Sequence, residues 1–306
     1  MTAFRYRTGN NLGEEFPLII RGRQMWDAIR EATNGRLEVS VHPNNELGSD
    51  SAMFEELRAG TIHFFTIDGG NVPSVPVAAI QGVGFAFRND SQAFAAFDGE
   101  LGAYVRKELA ADNFHAFDLM WANGMRQITS STRPIQTPDD LEGFRIRTPP
   151  GRLWIDLFKT LGAYPAPIDY AQLYAALKNH DVDGQENPGT MVLGGRLFEV
   201  QKYLSVTNHM WSARWMLANL DAWNALPADI QDVVTRNMRK YTLLQRADVA
   251  RLEDAAAAGL VQEGMIVNSP DTSAFRARLH DYYRRRRAEF GSTAWTLLED
   301  HSQKLG

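Results

Sequence analysis

Residues Phe144 to Ala163 read FRIRTPPGRLWIDLFKTLGA. Arg145 and Arg147 alternate with apolar residues, as in a strand over Phe144–Thr148. Two prolines and a glycine interrupt the run, and the segment 151–161 then carries a helical apolar spacing that Gly162 ends. A strand that runs into a helix start aims its last side chains and the free N–H groups of that helix at one spot. In open α/β sheets, ligands bind beyond the carboxyl ends of the strands. Arg147 is the strand-end arginine, and its planar fork matches a carboxylate through two parallel hydrogen bonds. Arg145 lies two positions earlier on the same face, where a solvated or salt-bridged role fits better.

The surrounding chain repeats the strand–helix pattern. Phe4–Thr8 alternates, 17–32 is amphipathic and closed by Asn34-Gly35, and Leu37–Val41 has period two. A helix over 51–59 and an apolar strand over 62–67 follow, so the first seventy residues read β-α-β-α-β, an α/β pattern with a parallel sheet. Thr137-Pro138-Asp139-Asp140 starts a short helix, and 171–178 is another, left through the turn at Asp183-Gly184. From Pro227 to about Gly259 the spacing stays helical for about thirty residues, longer than a typical globular helix. Ser269-Pro270-Asp271 caps a last helix bearing Arg284–Arg287, a run that reads as a solvated face.

Composition narrows the function. The 306 residues suffice for two domains, and 44% hydrophobic content supplies a core. A net charge of −5, from 32 basic and 37 acidic residues, is no nucleic-acid footprint. Without cysteine the chain has no disulfides, thiolate metal sites or cysteine nucleophiles. No apolar run approaches the roughly 20 residues that span a bilayer, and no signal peptide is visible ahead of Arg5, which fits either a cytoplasmic protein or a mature form given a new start codon. Asn179–Gly184 matches half of a calcium loop, but position twelve is Thr190 instead of glutamate. Gly189–Arg196 lacks the Lys-Ser/Thr pair of a phosphate loop, and Gly82-Val-Gly84 lacks the third glycine of a dinucleotide fingerprint. There is no H-E-x-x-H and no G-x-S-x-G.

Four segments carry a specific resemblance: Leu141-Glu-Gly-Phe-Arg-Ile-Arg147, Tyr174-Ala-Ala-Leu-Lys178, Asp183-Gly-Gln-Glu-Asn-Pro188, and Glu199-Val-Gln-Lys-Tyr203 leading to Thr207-Asn-His209. Their order and spacing resemble the solute-binding proteins of TRAP transporters, the DctP family. Thr33-Asn-Gly35, His42-Pro43, Glu46–Asp50 and Arg58-Ala-Gly-Thr61 fit it as well, so the likeness runs from about Phe4 past residue 260. It implies a two-lobed periplasmic binding protein fold, α/β, with a ligand cleft between the lobes and a long helix spanning both. Lobe I would comprise 1–124 plus about 212–255, and lobe II 125–211 plus about 256–306. It further implies a periplasmic, monomeric receptor that closes on a small organic acid and passes it to the small and large membrane subunits of the transporter. Neither catalysis, a cofactor nor a metal is implied.

The resemblance carries roles to particular residues. Arg147 would clamp the ligand carboxylate; the alternative is a lobe-surface salt bridge. Asn187 matches a second ligand-fixing position, with a turn role before Pro188 as its competitor. Arg126 matches an arginine that some members use on the anion, against plain strand packing. Tyr170 stands where an aromatic ring often meets the ligand. Trp211, Trp154 and Phe85 are looser aromatic candidates, since large aromatics are more often core. Asn11 and Asp68 follow the first and third strands, where they would bond ligand hydroxyls or equally serve as turn residues. Pro150 and Gly151 depart from the polar residue of some sugar-acid binders, so no sialic-acid-like ligand is expected. The competing readings are a hydrolase using the acids near Asp183 and a receptor serving a membrane sensor.

Overall fold

A computed structural model of the chain describes residues 3–302 together with Lys304 and Leu305. In chain order, strand β1 (Phe4–Gly9), helix α1 (Pro17–Ala32), β2 (Leu37–His42), α2 (Asp50–Ala59) and β3 (Phe64–Asp68) form the first wound unit. Pro17 stands at the start of α1, where its missing N–H costs nothing, and the Ser49 hydroxyl caps α2 by accepting from the Ala52 amide. Helices α3 (Asp90–Phe97) and α4 (Glu100–Ala111) and strand β4 (Phe114–Ala116) lead to β5 (Trp121–Ser130).

The second unit contains β6 (Arg145–Thr148), α5 (Arg152–Thr160), β7 (Tyr164–Pro167), α6 (Tyr170–Lys178), β8 (Gly184–Asn187) and α7 (Gly189–Gly194). Then come the 17-residue β9 (Tyr203–Asn219), α8 (Leu220–Asn224), the 35-residue α9 (Ala228–Gln262), β10 (Ile266–Asn268), α10 (Ser273–Ala277) and α11 (His280–His301).

One sheet runs through the molecule in the order β2-β1-β3-β9-β5-β8-β6-β7, with β4 and β10 also on β9. Its flanks are parallel, as the sequence predicts, but its centre is not: β9 is antiparallel to both β3 and β5. The parallel sheet expected for the first seventy residues is present, and the antiparallel centre adds to it. Strand β9 is buried along most of its length, so it shows no apolar–polar alternation to announce it.

The β5–β9 ladder slips between Arg126 and Ile128, where several β9 residues face Gln127. Asn208 takes a left-handed φ of 43° there. The Gln127 and Asn208 side chains close this bulge: Gln127 Nε2 donates to Asn208 Oδ1 at 2.6 Å, and its Oε1 accepts from the Asn208 amide at 2.9 Å.

The long helix α9 packs on α1, β5 and α7 and so touches both flanks of the sheet. The last helical segment is two helices instead of one, and Gly291, at φ 84°, breaks the second. Helix α11 packs on residues 76–82, α3 and α4, and also reaches α5. Arg285 and Arg286 hold Asp156 of α5 at 3.0 and 3.3 Å, so part of the arginine run ties elements together instead of facing solvent. Among the described residues, no helix is long and apolar enough to cross a membrane.

Candidate functional site

The carboxyl ends of β1, β3, β6 and β8 converge, with β5 and β9, on a narrow cleft. Asn11, Asp68, Arg126, Arg147, Tyr170 and Asn187 all line it. Residues from across the chain thus meet where the sequence placed a ligand.

Arg147 is 2% exposed. Strand β6 lies between β7 and β8, and the turn at Pro149-Pro150 starts α5 with Gly151 at its N-cap. The Arg147 Nε donates to the Ile168 carbonyl at 2.7 Å, which fixes the plane of the guanidinium. Its two terminal nitrogens have no hydrogen-bond partner among the described residues. Burial pulls its pKa down to about 10, against the field of Glu186, so it remains a cation at neutral pH. Arg145, two residues earlier, is paired with Asp183 at 2.7 Å on the surface.

Arg126 reaches the cleft with its donors engaged. Its Nε and Nη2 grip the Glu186 carboxylate, Nη2 at 2.7 Å, and Nη2 also reaches Asn187 Oδ1 at 3.1 Å. Its Nη1 donates to Ser212 Oγ at 3.3 Å. Glu186 is wholly buried and also meets His209 Nε2 at 3.2 Å. Burial alone would raise the Glu186 pKa, but the Arg126 charge and the bonds from His209 and Arg126 win and hold it below the usual carboxylate range. Arg126 therefore neutralises Glu186 and braces Asn187, whose Nδ2 donates to Gln185 Oε1 at 2.6 Å.

The first wound unit supplies acceptors. Asp68 accepts from the Gly70 amide and the Ser212 hydroxyl, both at 2.9 Å, and burial raises its pKa. Asn11 Nδ2 donates to Asp50 Oδ2 at 2.7 Å. Several polar atoms here are shut from water without a protein partner: Asn11 Oδ1, Asp50 Oδ1, Trp154 Nε1, Tyr170 Oη and Arg214 Nε. Such atoms are costly unless something fills them. Burial pushes the Tyr170 hydroxyl up to about 12, so it stays a neutral donor and acceptor.

Two aromatic expectations are corrected. Trp211 packs among Phe87, Phe94 and Phe97 and donates Nε1 to Asp90 at 2.7 Å, inside the core. Phe85 is 4% exposed against Phe275 and likewise lies in the core. Neither lines the cleft. The bulge at Asn208 shifts the facing of the strand after it, which residue spacing alone does not reveal.

Trp154, in contrast, lines the cleft beneath the Arg126 guanidinium, 5.6 Å from its ring centre. Sequence reasoning missed Arg214, Asp50, Asn71, Asn123 and Asp169, which also line it. Arg214 left a signal: with His209 it is one of two basic residues between Tyr203 and Leu220.

Comparison with known proteins places this geometry. Residues 9–289 match the model of DctP, bacterial extracellular solute-binding protein family 7. The chain is 30% identical over 267 residues to the 2,3-diketo-L-gulonate-binding periplasmic protein YiaO of Escherichia coli, covering 87% of this chain and 81% of that one. Among solved structures, a TRAP periplasmic solute-binding protein from Polaromonas, bound to D-erythronate, superposes with TM-score 0.93 at 27% identity, over 98% of this chain and 99% of that one. One from Sulfitobacter, with bound β-D-galacturonate, gives 0.91 at 26%, over 96% and 98%. The fold is that of the two-lobed TRAP solute-binding proteins.

Proposed function

The chain belongs to bacterial extracellular solute-binding protein family 7, DctP, and we propose that it is the periplasmic receptor of a TRAP transporter for a small sugar acid or related carboxylate. The observation that carries this reading is the Arg147 guanidinium: buried in the cleft, held through Nε, with both terminal nitrogens unpaired. A carboxylate supplies the two acceptors such a fork lacks. Asn187, braced by Arg126, bonds the same end of the ligand, and Tyr170 covers it. Asn11, Asp68 and their neighbours take its hydroxyls. The lobes are 1–124 with about 212–255 and 125–211 with about 256–306, α11 strapping one to the other. Ligand contacts to both lobes favour the closed form, because a ligand held equally by open and closed forms would shift nothing. A monomeric closed receptor then delivers the acid to the small and large membrane subunits. Relatives bound to erythronate and galacturonate support the ligand class.

A thermal-shift screen of uronates, aldonates, hydroxy and keto acids and aromatic acids tests it, since a ligand that binds only the folded state raises Tm. One class raises Tm, and Arg147→Ala abolishes the rise. If no acid acts, mass spectrometry of small molecules released on denaturation finds a trapped acid. A chain that neither responds nor releases one is no carboxylate receptor.

A further inference from the structure

Arg214 lies on β9 directly across from Asp68 on β3, and across from Trp121 on its other side. Cross-strand acid and base would ordinarily pair. Here they do not: the Asp68 oxygens take the Gly70 amide and the Ser212 hydroxyl. Arg214 is 7% exposed, and no hydrogen bond or ion pair joins its side chain to any described residue. Its Nε is shut from water without a partner. Leaving a charged donor buried and unfilled is expensive, and this one lines the cleft.

Its surroundings define what would fill it. The unpartnered acceptors Asp50 Oδ1 and Asn11 Oδ1 line the same cleft. A hydroxyl accepts from a guanidinium and donates to a carboxylate or amide oxygen at once, whereas a carboxylate only accepts. Glu186 already cancels Arg126. That leaves Arg147 and Arg214 against Asp50, Asp68 and Asp169 in the lining, so a second ligand carboxylate would meet like charge.

We propose that Arg214, with Asp50 and Asn11, reads neighbouring hydroxyls of the ligand beyond the carboxylate that Arg147 holds, and so selects polyhydroxy monocarboxylates over diacids. This inference rests on the receptor reading above and names the residue that sets its specificity.

Calorimetric titration of the full chain with D-gluconate, D-galactonate, D-glucuronate and D-galacturonate, against glucarate, galactarate and succinate, tests it. Wild type binds at least one monoacid about tenfold or more tighter than its matched diacid. Arg214→Met, checked for a folded melt, weakens that monoacid about tenfold or more and narrows its margin over the diacid. Arg214→Lys, which keeps the charge and loses the fork, falls between and serves if the methionine variant does not fold. Equal binding of monoacid and diacid by wild type overturns the inference and leaves the receptor reading standing. So does a folded Arg214→Met that weakens every acid by the same factor, since Arg214 would then be only a counter-charge for Asp50 and Asp68. Failure of wild type to bind any of these acids, with none trapped, removes the receptor reading itself and this inference with it.

Discussion

The guanidinium of Arg126 and the carboxylate of Glu186 form a buried pair, with Asn187 and His209 attached to it. Such a pair holds the cleft floor in one geometry, but it does so only while both partners are present. Removing one partner of a buried pair leaves an uncompensated charge and costs about 3–5 kcal/mol. Glu186→Ala should therefore lower the urea midpoint sharply, and it should weaken acid binding because Arg126, which braces Asn187, loses the carboxylate that holds it. A variant with wild-type stability would show that Arg126 finds water or another partner.

Gly70 and Gly151 meet beside the cleft, against the Trp154 ring. A Cβ on Gly151 would lie 2.6 Å from the Gly70 carbonyl oxygen, and one on Gly70 would enter the Trp154 ring. Gly70→Ala should thus oppose closure while leaving each lobe folded. The expected result is an affinity loss of about tenfold or more with little change in Tm of the free protein. Small-angle scattering should show the variant staying extended when an acid that compacts the wild type is added. Normal compaction would mean that the lobes meet elsewhere.

Burial pulls the His115 imidazole, stacked on Trp223 at 4.2 Å, down to about 4, against the opposing charge of Asp118. In the unfolded chain it titrates near 6.5. Between those values the unfolded state binds a proton that the folded state refuses, so stability falls as pH drops from about 6.5 to about 4. Buried His209 and half-buried His63 shift the same way. His115 alone contributes about 2–3 kcal/mol to that fall. Melting temperatures of wild type and His115→Gln from pH 7 to 4 should converge on acidification; parallel curves would remove His115 from the pH dependence.

The parallel flanks, the strand-end placement of Arg147 and the long helix were legible because they rest on local signals: alternation, caps, and proline or glycine punctuation. Asn11 and Asp68 were legible because each follows a strand end, whereas Arg126, in the middle of β5, Tyr170 and Asn187 rested on the resemblance to the family. What escaped depended on β9. Buried along most of its length, that strand carries no period, and the bulge opposite Gln127 changes which residues after Asn208 face the cleft. Trp211 was therefore assigned to the cleft and Arg214 was passed over. Asp50 was hidden as the first residue of α2, where an acid usually serves the helix dipole.

Arg147 and Arg145 offer the most direct test, since they differ by two positions on one strand and by everything in their surroundings. We would measure, by calorimetry, the affinity of wild type, Arg147→Ala and Arg145→Ala for the sugar acid that most raises Tm. The clamp predicts that Arg147→Ala loses about 2–5 kcal/mol of binding, while Arg145→Ala, which breaks the surface pair with Asp183 and the bonds to the His180 and Asp181 carbonyls, binds as wild type does. An Arg147→Ala protein that is folded and retains wild-type affinity would contradict the account at its centre.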